Sequence, residues 1–265
     1  MKKVKISQVE LIVRIFLTKI INIILVKKGG WIMGRVACLG QDVYKLTGTS
    51  IPLVNYQKAR VDYVNEISNK PHLKSNTLKV CKFIKRKDIR NLILQQEIFN
   101  FFQKPPLALY MDSYSELTDQ RFEEKIKKWA FNANFSDINH NKDFNGKFKS
   151  LGLLSESDLL DSYNSFFKTF RRKYGSVPII FIHFPVKLDV REKFKLRYIE
   201  IKNAIDILKN EFQPFYSLEV DEYVVDWPEE YSSENENFPY HYNKKTYEYL
   251  SNEINKLGIF KSDNC

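Results

Sequence analysis

The chain has 265 residues, 43% hydrophobic and 14% aromatic, which suits one large folded domain and excludes a disordered or collagen-like chain. Its formal charge of +10 favours anionic partners, although a lysine-rich proteome accounts for the same balance. Three cysteines, Cys38, Cys81 and Cys265, without C-x-x-C spacing give neither a disulfide framework nor a zinc site, and point to reduced thiols in a cytoplasmic setting.

Residues 11–26 are strongly apolar, but Arg14 and Lys19 interrupt them, so no run reaches the length of a membrane span. A basic amphipathic helix fits better, with residues 9–28 making peripheral contact with the inner face of a membrane or with a partner. A start at Met33 fits equally well. Residues 1–32 then form an N-terminal extension and residues 33–265 one α/β domain. The apolar run at residues 35–39 predicts a buried first strand with Cys38 facing the core, and residues 40–52 read as a polar loop.

Helical spacing of Ile89, Leu92, Ile93, Gln96 and Phe99 predicts a helix over residues 87–103, stopped by Pro105 and Pro106. Residues 107–111 form a second strand leading into Asp112 and Ser113. Leu159, Leu160, Tyr163, Phe166, Phe167 and Phe170 share one face of a helix over residues 156–174, with Gly175 as its stop. The clearest strand covers residues 177–182 and ends at His183. A helix carrying Tyr198, Ile201, Ile205 and Leu208 follows, then a strand at 215–220 and a last helix at 243–257. Residues 132–151 and 226–238 read as long loops of the kind that form lids or binding loops. Alternation of strands and helices predicts a three-layer α/β/α sandwich on a parallel sheet, plus the N-terminal amphipathic helix.

Ligands of such sheets sit at the carboxyl ends of the strands. Those ends offer Gly40-Gln41-Asp42, Asp112-Ser113 and His183, and the loop before the last helix offers His241. Each has a plainer reading. His183 suits a packed core histidine, Asp112 a helix cap, Arg60 a surface arginine or an anion clamp, and Tyr240 and Tyr242 either core filling or sugar stacking. His72 and His140 lie in polar stretches and read as solvated. No nucleotide-loop, HExxH or EF-hand pattern occurs, so no cofactor or metal is expected. The basic clusters at residues 82–87 and 171–173 lack the aromatic interleaving of a nucleic-acid site.

The order of these pieces resembles the SGNH hydrolase superfamily, and within it a group of bacterial SGNH-like proteins associated with surface-polysaccharide loci. The resemblance rests on Gly40-Gln41-Asp42-Val43, on the stretch from Asn55 to Arg60, and on His241-Tyr242-Asn243 followed by Tyr247. It implies an esterase or acyltransferase acting on a surface glycan or its precursor. Asp42, His241 and Asp112 would be the catalytic groups. Gln41, Arg60, Ser113, His183, Tyr240 and Asn243 would bind the glycan or acylated small-molecule substrate. Two positions depart from the pattern. Asp42 stands where the serine nucleophile is expected, and Phe238, beside Asn237, where the acid that orients the histidine is expected. Three readings stay open: Asp42 acts as nucleophile or base, a hydroxyl of Thr47, Thr49, Ser50 or Ser113 replaces the serine, or the fold serves as a catalytically inactive binding module in a polysaccharide-biosynthesis assembly. An active site formed by Asp42, Asp112 and His241 requires hydrogen-bond reach around an open cleft, not plugged by Phe238 or Tyr242.

Overall fold

The computed structural model describes residues 8–230 and 240–260. In chain order the elements are helix α1 (Gln8–Lys28), strand β1 (Ile32–Arg35), α2 (Cys38–Leu46), β2 (Leu53–Asn55), α3 (Val61–Asn69), α4 (Thr77–Val80), α5 (Lys87–Ile98) and β3 (Ala108–Asp112). They continue with α6 (Tyr114–Thr118), β4 (Asp119–Glu124), β5 (Ala130–Asn134), α7 (Lys142–Lys147), β6 (Phe148–Gly152), α8 (Glu156–Tyr174), β7 (Ile179–Ile182), α9 (Glu192–Leu208), β8 (Phe215–Leu218) and α10 (Lys244–Lys256).

Five strands form one parallel sheet in the order β2-β1-β3-β7-β8. The chain winds outward from β1 in both directions, so the order reverses between β1 and β3, where open α/β sheets bind ligands. Helices α3, α8 and α9 pack side by side on one face, while α2 and α10 pair on the other. The predicted α/β sandwich is therefore the fold observed. The central strands are apolar because both faces are covered: β3 and β7 are buried along their whole length. Helix α8 starts where Ser155 accepts the Asp158 amide (3.2 Å) and stops at Gly175, whose φ of +62° suits a residue without Cβ.

Two regions differ from the sequence reading. The first strand ends at Arg35, and residues 38–46 of the expected strand and loop are helical. Arg35 stops the strand because its guanidinium turns inward to a buried carboxylate, Glu116 (2.7 and 2.8 Å). The sheet begins at Ile32, with Trp31 fully buried beside it. The expected loop at 132–151 instead contains the end of β5, the short helix α7 and most of β6, parts of a three-stranded antiparallel sheet in the order β5-β4-β6. The sheet carries its own small core, including Phe122, Phe131, Phe144 and Phe148, closed by Phe83 and Ile93. Strand β4 was hidden because only Asp119 and Phe122 of its six residues are buried, three positions apart across an irregularity at Arg121/Phe122, so neither period two nor hydrophobic content marks it.

No helix among the described residues is long and apolar enough to cross a membrane. Replacing Glu116 by Gln leaves the Arg35 cation buried without its countercharge. Urea unfolding of the Glu116→Gln variant should show a loss of about 3–5 kcal/mol, and an unchanged midpoint would refute the weight given to this pair.

Candidate functional site

The turn from β1 to α2 is held from both sides. Asn55, at the end of β2, accepts the Val36 amide (3.0 Å) and donates back to the Val36 carbonyl (2.9 Å). Asp112, at the end of β3, accepts the Ala37 amide through Oδ2 (2.6 Å) and the Tyr114 amide through Oδ1 (3.1 Å). Ala37 has no side chain with which to cap α2, so Asp112 caps it from the neighbouring strand. Gly40 completes the turn: a Cβ there would lie 2.5 Å from Val36 Cβ, so only glycine lets α2 approach this closely.

These clamps place Cys38 in the first turn of α2, on the wall of a cavity of about 400 Å³ at the carboxyl ends of β1 and β3. Tyr114, Tyr240 and His241 line the same cavity. Gln57 and Lys58 line the cavity from the segment after β2. Arg86, Asp88, Ile89 and Leu92 enter from the start of α5, and Asn134, Ser136 and Asp137 from the end of β5. The cavity thus lies between the parallel sheet and the small antiparallel one. The Cys38 sulfur lies 3.9 Å from the Tyr240 carbonyl oxygen. Tyr240 is itself fixed, its hydroxyl held by Arg191 (2.6 Å) and donating to Asp189 (3.4 Å).

Burial, with the nearby Asp112 carboxylate, pushes the Cys38 thiol up to about 11, against the weaker pull of the Leu39 and Cys38 amides. Burial also raises Asp112 to about 7, although the Ala37 and Tyr114 amides and Arg35 oppose the shift. The cations of the cavity are matched. Lys58 is buried between Asp119 (2.7 Å) and Asp137 (3.7 Å), and Arg86 is paired with Asp88. Among the described residues, no group of three His, Cys, Asp or Glu side chains is disposed to hold a metal ion.

Of the nine residues singled out in the sequence, Tyr240 and His241 reach this cavity. Asp42 does not line it: it sits on the outer side of α2, half-exposed and paired with Lys45 (2.7 Å). Gln41 bonds Gln57 (3.1 Å) and so supports the wall from behind. Asp112 is close to Cys38 but spends both carboxylate oxygens on backbone amides. Ser113 accepts the Phe184 amide (2.9 Å), tying β3 to the end of β7. Arg60 is buried, with its guanidinium on Asp62, the Asp119 carbonyl and the Gly152 carbonyl. His183 packs between Phe181 and Tyr198, bonds Ser217 (2.8 Å), and is driven down to about 4 by burial, which keeps it neutral. Asn243 caps α10 by accepting the Thr246 amide (3.0 Å). Asp42, Asp112 and His241 are therefore not gathered around one cleft. Tyr242 does not plug the cavity; it is buried, donating to the Pro185 carbonyl (2.7 Å). Phe238 and Asn237 lie outside the described residues.

Cys38 is the residue the sequence reading missed, because an apolar run through residue 39 turned it toward the core. The available signal was Arg35, a charge that ends the run three residues earlier.

No protein-family model matches the chain, and no curated protein matches it. Among solved structures it is similar to an acetyl xylan esterase from the rumen bacterium Butyrivibrio proteoclasticus, at 14% identity and a TM-score of 0.37, over 84% of this chain and 56% of that one. The chain thus spans little more than half the length of that protein, and a likeness this slight says nothing about activity.

Two measurements check the electrostatics. Folding holds Asp112 protonated above its ordinary value of 3.8. Its contribution to stability is therefore full below about pH 4 and is lost as pH rises through about 7. Urea midpoints should fall across that window more steeply in the parent than in Asp112→Asn, and parallel profiles would contradict the raised carboxyl. At Cys38, only about one thiol in 10⁴ is ionised at neutral pH, so iodoacetamide labelling read by peptide mapping should quicken about tenfold per pH unit up to about pH 10. Fast labelling with a plateau near pH 7 would show a thiolate already formed.

Proposed function

We propose that the protein is an acyl-transfer enzyme, an esterase or acyltransferase acting on an acylated surface glycan or its precursor, with Cys38 as nucleophile and His241 as base. The observation that carries this reading is the position of Cys38: it occupies the first turn of the helix after β1 and lines the same cavity as His241. In the SGNH pattern the nucleophile follows the first strand and the histidine precedes the last helix. Here a thiol takes the place of the hydroxyl, four residues before the position inferred from sequence.

The chemistry balances on these two groups. His241 takes the thiol proton as sulfur attacks the acyl carbonyl, and returns it to the departing sugar oxygen. A thioester on Cys38 results. Water then gives the free acid, or a second hydroxyl gives the transferred ester. The amides at the start of α2 supply donors on the side where the carbonyl oxygen gains charge. With each lining cation matched by a carboxylate, the cavity suits a neutral polar sugar better than a highly charged one.

A non-catalytic module binding the same class of glycan is the second reading, favoured by the high pKa of the resting thiol. One experiment separates the two. The parent, Cys38→Ala and His241→Ala are incubated with a panel of acetylated sugars and an activated acetyl ester, with release of acetate measured and intact mass recorded. Catalysis predicts an acyl adduct on the parent and a loss of about 10²–10⁴-fold in either variant. Turnover retained by Cys38→Ala would end the proposed mechanism, and absence of turnover with retained sugar binding would establish the module.

A further inference from the structure

Helix α1 leaves a broad apolar face uncovered. Leu11 and Val26 are buried against the body and Ile15 and Leu25 pack beside them, defining the inward side. The outward side carries Val9, Ile12, Val13, Phe16, Ile21 and Ile24, with Val9 69% and Phe16 63% exposed. From Val9 to Ile24 this makes an apolar strip about 23 Å long, larger than the isolated apolar side chains any folded surface shows.

We propose that this face docks the protein on a membrane surface that contains anionic lipid. The proposal is independent of the acyl-transfer reading. Charge selects the occupant. Arg14, Lys19, Lys27 and Lys28 stand on the helix against one acid, Glu10, which pairs with Arg14. Lys104 adds a further cation at the C-terminal end, its ammonium donating to the Lys27 carbonyl (3.3 Å). An apolar strip bordered by lysines matches the interface of an anionic bilayer, where side chains enter the acyl boundary and lysines reach the headgroups. A second copy of the chain would set these cations against each other with too few acids to match them. Because the helix cannot span the bilayer, it would lie in the plane of the interface, with the body beneath it.

Flotation of the full chain tests this. Phosphatidylcholine vesicles and phosphatidylcholine–phosphatidylglycerol vesicles are compared at low and high salt, with the parent, Phe16→Ser/Ile24→Ser and Lys27→Gln/Lys28→Gln. The mutated positions are exposed, so matching urea midpoints should confirm that each variant folds as the parent does. The parent should float with the anionic vesicles only, and salt should release it. Each lysine removed should weaken partition about fivefold, and the apolar double variant should not float. No flotation with anionic vesicles, or equal flotation on neutral ones, overturns the proposal. So does a dimer by light scattering that Phe16→Ser/Ile24→Ser converts to monomer, since the face would then join two copies.

Discussion

The buried ion pair between Arg35 and Glu116 fixes more of this structure than any other single contact. Neither side chain is solvated: they are 2% and 0% exposed. Arg35 donates twice to the carboxylate and also to the carbonyls of Ala59 and Asp112. Glu116 in turn accepts the Val61 amide (2.9 Å) and the Tyr163 hydroxyl (3.2 Å), while its carbonyl accepts Arg197. One pair thereby joins β1, α3, α6, α8 and α9. Desolvating two charges costs as much as their attraction returns, so the pair adds little net stability over an apolar substitute. Its effect is geometric. It ends β1 at residue 35 and so decides that Cys38 begins a helix at a cavity and does not finish a strand in the core.

A second charged group performs the same task for the opposite wall. Lys58 holds Asp119, the first residue of β4, and also faces Asp137 beyond β5. Gln96 of α5 reaches the same region, donating to the Asn132 carbonyl (2.7 Å) and accepting the Asn132 amide (2.8 Å). The antiparallel sheet has its own aromatic core and would otherwise be free to tilt on the larger one. Buried polar bonds have narrow geometry where apolar contacts slide, so these links set the distance between the Cys38 wall and the wall of Asn134 and Asp137. The cavity exists because two hydrophobic cores are joined by polar bolts instead of merging.

Where the fold was legible, burial dictated the sequence. Helix α8 was read to the residue because six apolar side chains recur on one face ahead of a glycine stop. Strand β7 was read because both of its faces are covered, and α10 because Leu250 and Ile254 recur in phase on its buried face. The antiparallel sheet was not read, since β4 and β6 carry few apolar residues and their core is completed by Val80, Phe83 and Ile93 from earlier in the chain. The site was legible only in part for a different reason. A polar residue at a strand end looks the same in sequence whether it faces a ligand or clamps a backbone. Asp112, Ser113, Arg60 and Asn243 all turned out to satisfy buried amides or carbonyls, which every α/β fold must do at its strand-to-helix turns. His241 carried a sequence context, a loop before the last helix, that leads to the cavity.

The same clamp that builds the turn also governs the chemistry available there. Asp112 is needed as an acceptor for two amides, and its position close to Cys38 raises the cost of a thiolate. Yet Asp112 is itself lifted to about 7, so near neutral pH a substantial fraction of the molecules carries it as a neutral acid. Protonation there removes a negative charge from beside the sulfur and makes ionisation of the thiol easier. The thiol itself thus rests uncharged, unlike a thiolate–imidazolium pair that stands ready before substrate arrives. A nucleophile of this kind depends on a base acting in the same step as attack. On the acyl-transfer proposal, the proton acceptor becomes the group on which its reactivity turns. In that proposal the role falls to His241, which lines the same cavity as Cys38, while the other basic side chains there, Lys58 and Arg86, are paired with carboxylates.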